Sequence, residues 1–365
     1  ILRRLAKRAG LRKFGRYKML RFLTAGESHG EALVGILEGI PAGLKINTSG
    51  IDKELKRRQE GYGRGQRMQI ESDRAKILSG FMRGVTIGSP IAILIENKDF
   101  CIDKLPAVKN PRPGHADMAG ILKYGFNDAR CVFERASARE TAARVGIGAI
   151  CKILLAEFGI KIMSRVLMIG GAKGEAAIKE KIDKAVKSKD TLGGIFEVTI
   201  KGAPPGLGSY AHCDRRLDAS LAEAIMSIPA IKAVEIGNAI ECAGKPGSKV
   251  HDEIFYSRGK GIYRKTNNAG GIEGGMSNGE DIIARGYMKP ISTLMDGLNT
   301  IDIDTKKQVK ASTERSDVCA VPSAGVVGEG MAAFVIARAF LEKFGGDSIA
   351  EISRNYKGYI AGLKM

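Results

Sequence analysis

The feature that most constrains the fold is a run of small and apolar residues from position 138 to 158. Ala, Gly, Ile and Leu occupy nearly every face of a helix drawn through this run, and such a helix has to be buried on all sides. Ser137 and Glu140 have the Ser-x-x-Glu spacing of a capping box, so Ser137 is the predicted N-cap. We therefore expect a helix from Ala138 to Phe158 inside a large core.

Three arginines, Arg130, Arg135 and Arg139, cluster near the start of that helix. The unpaired N–H groups and the positive dipole end of a helix repel cations, unless an anion is shared between them. The sequence therefore indicates an anion-binding site here. The alternative is a structural network in which the arginines pair with nearby carboxylates, namely Asp117, Asp128, Glu134 and Glu140.

Composition limits the class of protein. The chain has 365 residues, of which 44% are hydrophobic and 27% charged, as is ordinary for a soluble globular protein. We expect no membrane-spanning segment, because the apolar runs are interrupted before they reach the roughly 20 residues that span a bilayer. The six cysteines include no Cys-x-x-Cys pair and there are four histidines, so neither a zinc site nor a disulfide framework is indicated, and a reducing compartment is expected.

The net charge of +18 is unevenly distributed. The first 18 residues carry eight Lys or Arg and no acid, which leaves +10 for the rest of the chain. This arm has the composition of a targeting or nucleic-acid-binding segment, but we favour a disordered leader. The remaining positive charge indicates anionic ligands.

Several loops have the residues of a binding site. His29 lies in a tight Gly26–Gly30 loop after a predicted strand, the segment 60–67 combines glycines with arginines, and residues 267–279 have almost no side chains. Neither the dinucleotide fingerprint nor the phosphate-binding P-loop occurs, which argues against a nicotinamide oxidoreductase. A second small-residue helix, predicted at 318–344, is similar to the first and favours an internal duplication.

Three motifs together resemble the chorismate synthase family. They are Gly26–Gly30, the pair Arg112–Asp117 with Arg135–Thr141, and Arg315–Asp317 followed by Val321 and Pro322. The resemblance extends from Met19 to Asp347. It implies an α+β fold of the β-α-β sandwich type, with a basic arm at 1–18, one catalytic domain at 19–347 and a C-terminal tail helix at 348–365.

The resemblance also implies an activity. Enzymes of this family convert 5-enolpyruvylshikimate 3-phosphate to chorismate and phosphate by an anti-1,4-elimination that requires reduced FMN, with NADPH involved only indirectly through flavin reduction. A cytoplasmic homotetramer, served by a separate flavin reductase and binding neither nucleic acid nor membrane, is the expected form. The runner-up is a basic nucleic-acid-binding protein, whose binding would weaken steeply with salt.

The site residues implied by the resemblance fall into three groups. His29 is expected to protonate the departing phosphate, His115 to lie near flavin N1, and Asp317 to act on the proton handled at flavin N5. The expected substrate contacts are Arg58, Arg64, Arg67, Arg112, Ser137, Arg139 and Arg315. The expected flavin contacts are Arg58, Arg64, Arg135, Ala136, Ser137, Pro229, Ala230, Gly274, Lys289, Pro290, Ile291, Ser292, Thr293 and Arg315.

Overall fold

The structure is a computed structural model that describes residues 20–64, 72–259, 261–314 and 317–363. The strands are β1 Arg21–Ala25, β2 Ala32–Glu38, β3 Lys76–Ile77, β4 Phe81–Met82, β5 Val85–Thr86, β6 Ile91–Glu96, β7 Lys161–Ile169, β8 Gly194–Lys201, β9 Ile231–Ile236, β10 Ile254–Ser257, β11 Gly261–Arg264, β12 Ile272–Glu273, β13 Met276–Ser277, β14 Ile282–Met288, β15 Asn299–Ile301 and β16 Gln308–Lys310. The α-helices are α1 Thr48–Gln59, α2 Asp117–Tyr124, α3 Arg130–Ala136, α4 Thr141–Ala156, α5 Glu175–Lys187, α6 Leu217–Met226, α7 Ala239–Cys242, α8 Val321–Phe344 and α9 Ile349–Gly362. Short 3-10 helices occur at Ile102–Lys104, Ala138–Glu140, Cys213–Arg215 and Gly247–Lys249.

Two four-stranded antiparallel sheets form the outer layers. The first has the order β1-β2-β6-β3 and the second the order β7-β8-β14-β9. Side chains alternate between the two faces of a strand, so every second residue of β6 (Ile91, Ile93, Ile95) and of β8 (Phe196, Val198, Ile200) is buried. Each sheet therefore turns one apolar face inwards.

The helices α4 and α8 fill the space between the sheets. Gly146 of α4 lies against Ile93 of the first sheet, and Gly328 of α8 lies against Phe196 of the second. Most residues of both helices are buried, as the small and apolar composition predicts. The arrangement is sheet, helices, sheet, which confirms the predicted α+β sandwich.

The two halves of the sandwich have the same topology. The first half runs β1-β2-α1-β3-β6-α4, with the small β4-β5 hairpin inserted, and the second runs β7-β8-α6-β9-β14-α8 with longer insertions. In both sheets the spatial order is the first, second, fourth and third of these strands. This repeat agrees with the internal duplication that the two similar helices indicated.

The start of the central helix differs from the prediction. Residues 138–140 form a 3-10 turn, and α4 runs only from Thr141 to Ala156. Ser137 does cap this turn, because its hydroxyl accepts a hydrogen bond from the Arg139 N–H at 3.3 Å. The predicted capping box is nevertheless wrong, since the Glu140 carboxylate binds Thr24 at 2.8 Å and Arg144 at 2.8 Å.

Two further expectations need correction. Among the described residues, α8 is long and apolar enough to cross a membrane by length and composition, contrary to the expectation from the sequence. It is the core helix of the sandwich and mostly buried, so these properties reflect its central position.

The glycine-rich loop at 267–279 is more ordered than its sequence predicts, because it contains the β12-β13 hairpin. Gly270 and Gly271 adopt positive φ where the chain passes close to the backbones of Gly237 and Asp281.

Candidate active site

A cavity of about 520 Å³ opens where the two halves of the sandwich meet the α2–α3 region. The start of α8, the residues after β14, the loop between β1 and β2, and the 3-10 turn before α4 all contribute to its wall. The wall is cationic in one part and apolar in another. The basic arm at 1–18 lies outside the described residues.

His29 is held on the cavity wall by the β1–β2 loop. The loop closes tightly at Gly26, where φ is 103° and a Cβ atom would lie 2.3 Å from the Ala32 carbonyl oxygen. The Nδ1 atom of His29 lies 3.1 Å from each carboxylate oxygen of Glu134, and the His29 backbone N–H donates to the same carboxylate at 2.8 Å. Burial would raise the pKa of Glu134, but the hydrogen bonds from His29 and the charge of Arg130 hold it below its usual value.

His115 has a similar arrangement with Asp117. Its Nδ1 atom contacts the fully buried Asp117 carboxylate, which also accepts hydrogen bonds from the Arg112 backbone N–H and Nε, both at 2.9 Å. Burial would raise the pKa of Asp117, but the hydrogen bonds from His115 and Arg112 lower it. An ionised carboxylate only accepts hydrogen bonds, so Nδ1 carries a proton and Nε2 remains for a ligand.

Arg112 makes most of its hydrogen bonds to other residues of the protein. Besides Asp117, its guanidinium donates to the Thr293 hydroxyl at 2.8 Å and stacks on the Phe133 ring at 3.6 Å from the ring centroid. These contacts fix the loop that carries His115 against the residues after β14. Arg112 therefore lies on the cavity wall with most of its donors already satisfied.

Arg58 and Arg139 are held side by side by one carboxylate. Asp73 is 5% exposed and accepts hydrogen bonds from Arg58 at 3.0 Å and from Arg139 at 2.6 Å. The Nε of Arg139 also donates to Asn97 at 2.8 Å, and the Asn97 amide in turn donates to the Gly30 carbonyl at 2.7 Å. The arginines and the His29 loop are thus parts of one hydrogen-bond network.

In the described part of the chain, two buried guanidinium nitrogens have no hydrogen-bond partner. Within the described residues, Nε of Arg58 and Nε of Arg64 are the buried side-chain polar atoms that lack a hydrogen bond, although Arg64 pairs with Asp317 at 2.8 Å. Burial lowers the pKa of Arg58 and of Arg64, although Asp73 and Asp317 act in the opposite direction. Leaving such donors unpaired costs free energy, so they favour an anionic ligand in the cavity.

Another part of the cavity wall is largely apolar. It is formed by Ile228, Met288 and Ile291 with parts of α8, and by Ala230 at a positive φ of 69°. Lys289 lies at the edge of this wall and donates to the Ser292 hydroxyl at 2.7 Å. Burial and the neighbouring Lys232 lower the pKa of Lys289.

The cavity wall contains most of the residues expected from the sequence. Those on it are His29, Arg58, Arg64, Arg112, His115, Ala136, Ser137, Arg139, Pro229, Ala230, Lys289, Ile291, Ser292, Thr293 and Asp317. Arg135 donates instead to the carbonyls of Thr24 and Gly26, and neither Gly274 nor Pro290 lines the cavity. Arg67 and Arg315 lie outside the described residues.

The carboxylate partners of the arginines agree only in part with those expected from the sequence. Arg130 lies 3.7 Å from Glu134, as a structural network would have it, but its closer partner is Glu314, and Arg139 binds Asp73 rather than any carboxylate named in advance. Asp73 and Glu134 were not among the predicted site residues. Asp73 is distant in sequence from its partners and carries no motif signal, whereas Glu134 directly precedes the second motif.

The comparisons with known proteins agree with this geometry. The family profile described as chorismate synthase matches residues 20–341. The chain belongs to the chorismate synthase family. A chorismate synthase from Thermoanaerobacter pseudethanolicus is 56% identical over 348 residues, covering 94% of this chain and 99% of that protein.

Other members of the chorismate synthase family extend the similarity. A chorismate synthase from Acidobacterium capsulatum is 49% identical, covering 95% of this chain and 100% of that protein. A crystal structure of chorismate synthase superposes with a TM-score of 0.79 at 42% identity, covering 95% of this chain and 98% of the other. The sandwich described above is therefore the chorismate synthase fold.

Proposed function

We propose that the chain is a chorismate synthase that eliminates phosphate from 5-enolpyruvylshikimate 3-phosphate with the help of reduced FMN. The observation that carries the proposal is the set of buried arginines around the cavity, beside two histidines held by carboxylates. Two of these arginines have an Nε atom without a partner among the described residues. The substrate has one phosphate and two carboxylates, and FMN adds a second phosphate. Membership in the family supports the same conclusion.

The arginines supply the binding of these anions. Arginine presents its donors in a rigid fork that matches phosphate and carboxylate oxygens. Asp73 and Asp317 neutralise part of the cationic charge and hold Arg58, Arg139 and Arg64 in place before a ligand arrives. A ligand oxygen that accepts from Arg58 Nε or Arg64 Nε satisfies a donor that is otherwise buried without a partner.

His29 is suited to protonate the departing phosphate. Because Glu134 accepts from Nδ1, the exchangeable proton is at Nε2. The Asp99 carboxylate lies 3.7 Å from Nε2. The C–O bond to phosphate breaks as the phosphate oxygen takes this proton. C6 of the substrate loses a proton, which Asp317 would finally accept, and the second ring double bond forms. The products are chorismate and one phosphate.

The cavity also fits a flavin. The apolar residues of the wall offer a surface for an aromatic ring system, while Lys289 and the arginines would serve a phosphate. Reduced FMN, when bound, supplies electron density that helps the phosphate to leave without net oxidation. His115 would donate from Nε2 to the flavin ring edge, and Asp317, set by Arg64, would hold a proton near it.

The remaining expectations concern the assembly and the cell. We propose a homotetramer in the cytoplasm that receives reduced flavin from a separate reductase, with NADPH acting only on that reductase. The contacts expected of Arg67, Arg135, Gly274, Pro290 and Arg315 stay part of the proposal.

An anaerobic assay tests the function. The protein is mixed with 5-enolpyruvylshikimate 3-phosphate and chemically reduced FMN, and chorismate absorbance, released phosphate and the flavin spectrum are followed together. Equimolar chorismate and phosphate with the flavin still reduced is the expected result. Flavin binding without product would refute the proposed reaction, and tight nucleic-acid binding without any response to reduced FMN would favour the runner-up.

A further inference from the structure

Glu134 is attached to the His29 loop at several points. Its carboxylate contacts the Nδ1 atom of His29 with both oxygens at 3.1 Å and accepts the His29 backbone N–H at 2.8 Å. Its own backbone carbonyl accepts from the Ser28 N–H at 2.9 Å. The loop between β1 and β2 is therefore joined to helix α3 both through main chain and through the ring of His29.

The chemistry of these contacts determines where the proton of His29 lies. The Glu134 side chain is 5% exposed, and Arg130 lies 3.7 Å from it. The negative charge of this buried carboxylate is therefore partly offset by the positive charge of Arg130. Hydrogen bonds and charge keep the pKa of this carboxyl low despite burial, so it is ionised and can only accept. Neutral His29 beside such an acceptor holds its proton on Nδ1 and its lone pair on Nε2.

We propose that Glu134 is a positioning residue that fixes His29 in the Nδ1–H tautomer and thereby makes Nε2 the nitrogen that exchanges a proton with the ligand. Glu134 acts through His29 and takes no proton itself. The catalytic consequence rests on the function proposed above, whereas the tautomer assignment rests only on the contacts of Glu134. Asp117 likewise contacts the Nδ1 atom of His115, which also lies 3.2 Å from Arg112 Nη2, and this pair provides a comparison in the same molecule.

The tautomers can be measured directly. The chain has four histidines, at positions 29, 115, 212 and 251, so ring-labelled histidine gives few NMR signals and His29→Gln assigns one of them. The spectra are recorded at a pH of about 8.5, well above the ordinary imidazole pKa of about 6.5. There the NMR chemical shifts of the ring nitrogens distinguish the two neutral tautomers. We expect neutral His29 with its proton on Nδ1 and an unprotonated Nε2. A neutral Nε2–H form in the parent protein would overturn the assignment.

The variant Glu134→Gln completes the test. An amide has one acceptor and one donor, so it cannot serve both the backbone N–H and the Nδ1–H of His29 as the carboxylate does. We expect the Nε2–H tautomer of His29 to become populated while the signals of His115 keep their positions, and Asp117→Asn to have the reverse effect. Unchanged His29 signals in Glu134→Gln would overturn the proposal.

Kinetics separate positioning from a merely structural role. With reduced FMN and 5-enolpyruvylshikimate 3-phosphate, Glu134→Gln should lower kcat by roughly tenfold to a hundredfold with KM little changed, a part of the 10²–10⁴ that general acid–base catalysis supplies. An equal loss in substrate affinity, with the tautomer unchanged, would contradict positioning. The NMR spectra could show the expected tautomers while the assay detects no chorismate. That result would support the role of Glu134 and refute the proposed function instead.

Discussion

Gly148 of α4 and Gly330 of α8 are in direct backbone contact at the centre of the sandwich. A Cβ atom on Gly148 would lie 2.3 Å from the Cα atom of Gly330, whereas a Cβ atom on Gly330 would come no closer than 3.5 Å to its neighbours. The two glycines are therefore not equivalent. Only at Gly148 does the approach of the two helices exclude a side chain.

This asymmetry predicts opposite effects of two similar substitutions. Gly148→Ala should lower the free energy of unfolding by about 1–3 kcal/mol, because the methyl group meets backbone that cannot rotate away. Gly330→Ala is the matched control and should be neutral or slightly stabilising, since alanine favours the helix by up to about 1 kcal/mol. Urea unfolding at one protein concentration measures both. Equal effects of the two substitutions would contradict the close contact.

Removing either histidine of the cavity should lower the activity. His29→Ala or His115→Ala should reduce turnover roughly tenfold or more, because each removes a group placed to hold a proton beside the ligand. The folded state should remain intact, since neither side chain contributes much to the core. His212→Ala is the control, because His212 is exposed and away from the cavity. Parent rates in both cavity variants would remove the histidines from the mechanism.

Arg139→Lys tests the arginine network. Lysine cannot donate simultaneously to Asp73 and Asn97 as the guanidinium does, and it offers a point charge instead of a fork. The KM for 5-enolpyruvylshikimate 3-phosphate should rise by about tenfold or more, as expected for one lost charge-assisted hydrogen bond of about 1.5–3 kcal/mol.

Arg144→Lys is the matched control for that variant. Arg144 lies in the first turns of α4, five residues after Arg139, binds Glu140 at 2.8 Å and does not line the cavity. Its substitution should leave KM unchanged. If Arg139→Lys also binds substrate normally, Arg139 serves only to pair with Asp73.

Glu329 predicts a pH dependence of stability. This fully buried carboxylate of α8 accepts from Arg57 at 2.7 Å, Lys152 at 2.7 Å and the Ser164 hydroxyl at 2.7 Å. Burial would raise the pKa of Glu329, but these partners lower it below its ordinary value of 4.5. The folded state therefore binds this proton less readily than the unfolded state. The resulting stabilisation is present above pH 4.5 and is lost as the pH falls through the folded pKa.

Glu329→Gln should remove that dependence. At neutral pH it should cost about 3–5 kcal/mol, because Arg57 and Lys152 lose their buried partner. Between roughly pH 5 and 3 its stability should then change less steeply than that of the parent protein. Urea midpoints across this range measure the slope, with the exposed Glu180→Gln as the control. A slope equal to that of the parent would mean that Glu329 is not ionised in the fold.

Much of the architecture could be predicted from local patterns. The small, apolar residues of 138–158 and 318–344 indicated two buried helices because no other placement hides such surfaces, and the structure has α4 and α8 there. The helix α4 begins three residues later than the sequence pattern predicts. The sequence spacing of Ser137 and Glu140 satisfies a capping box, but the strand residue Thr24 and the helix residue Arg144 compete for the same carboxylate.

Motifs and hydrophobic periodicity are local properties of the chain, so the family, the buried central helices and the residue types of the cavity could be predicted from the sequence. The partners of the buried charges could not, because they come together only in the folded molecule. Asp73 reaches Arg58 and Arg139, and Glu134 reaches His29 across 105 positions of sequence. Such pairings depend on how the two halves and the α2–α3 region pack together, since burial makes each charge take whichever partner the fold brings within reach.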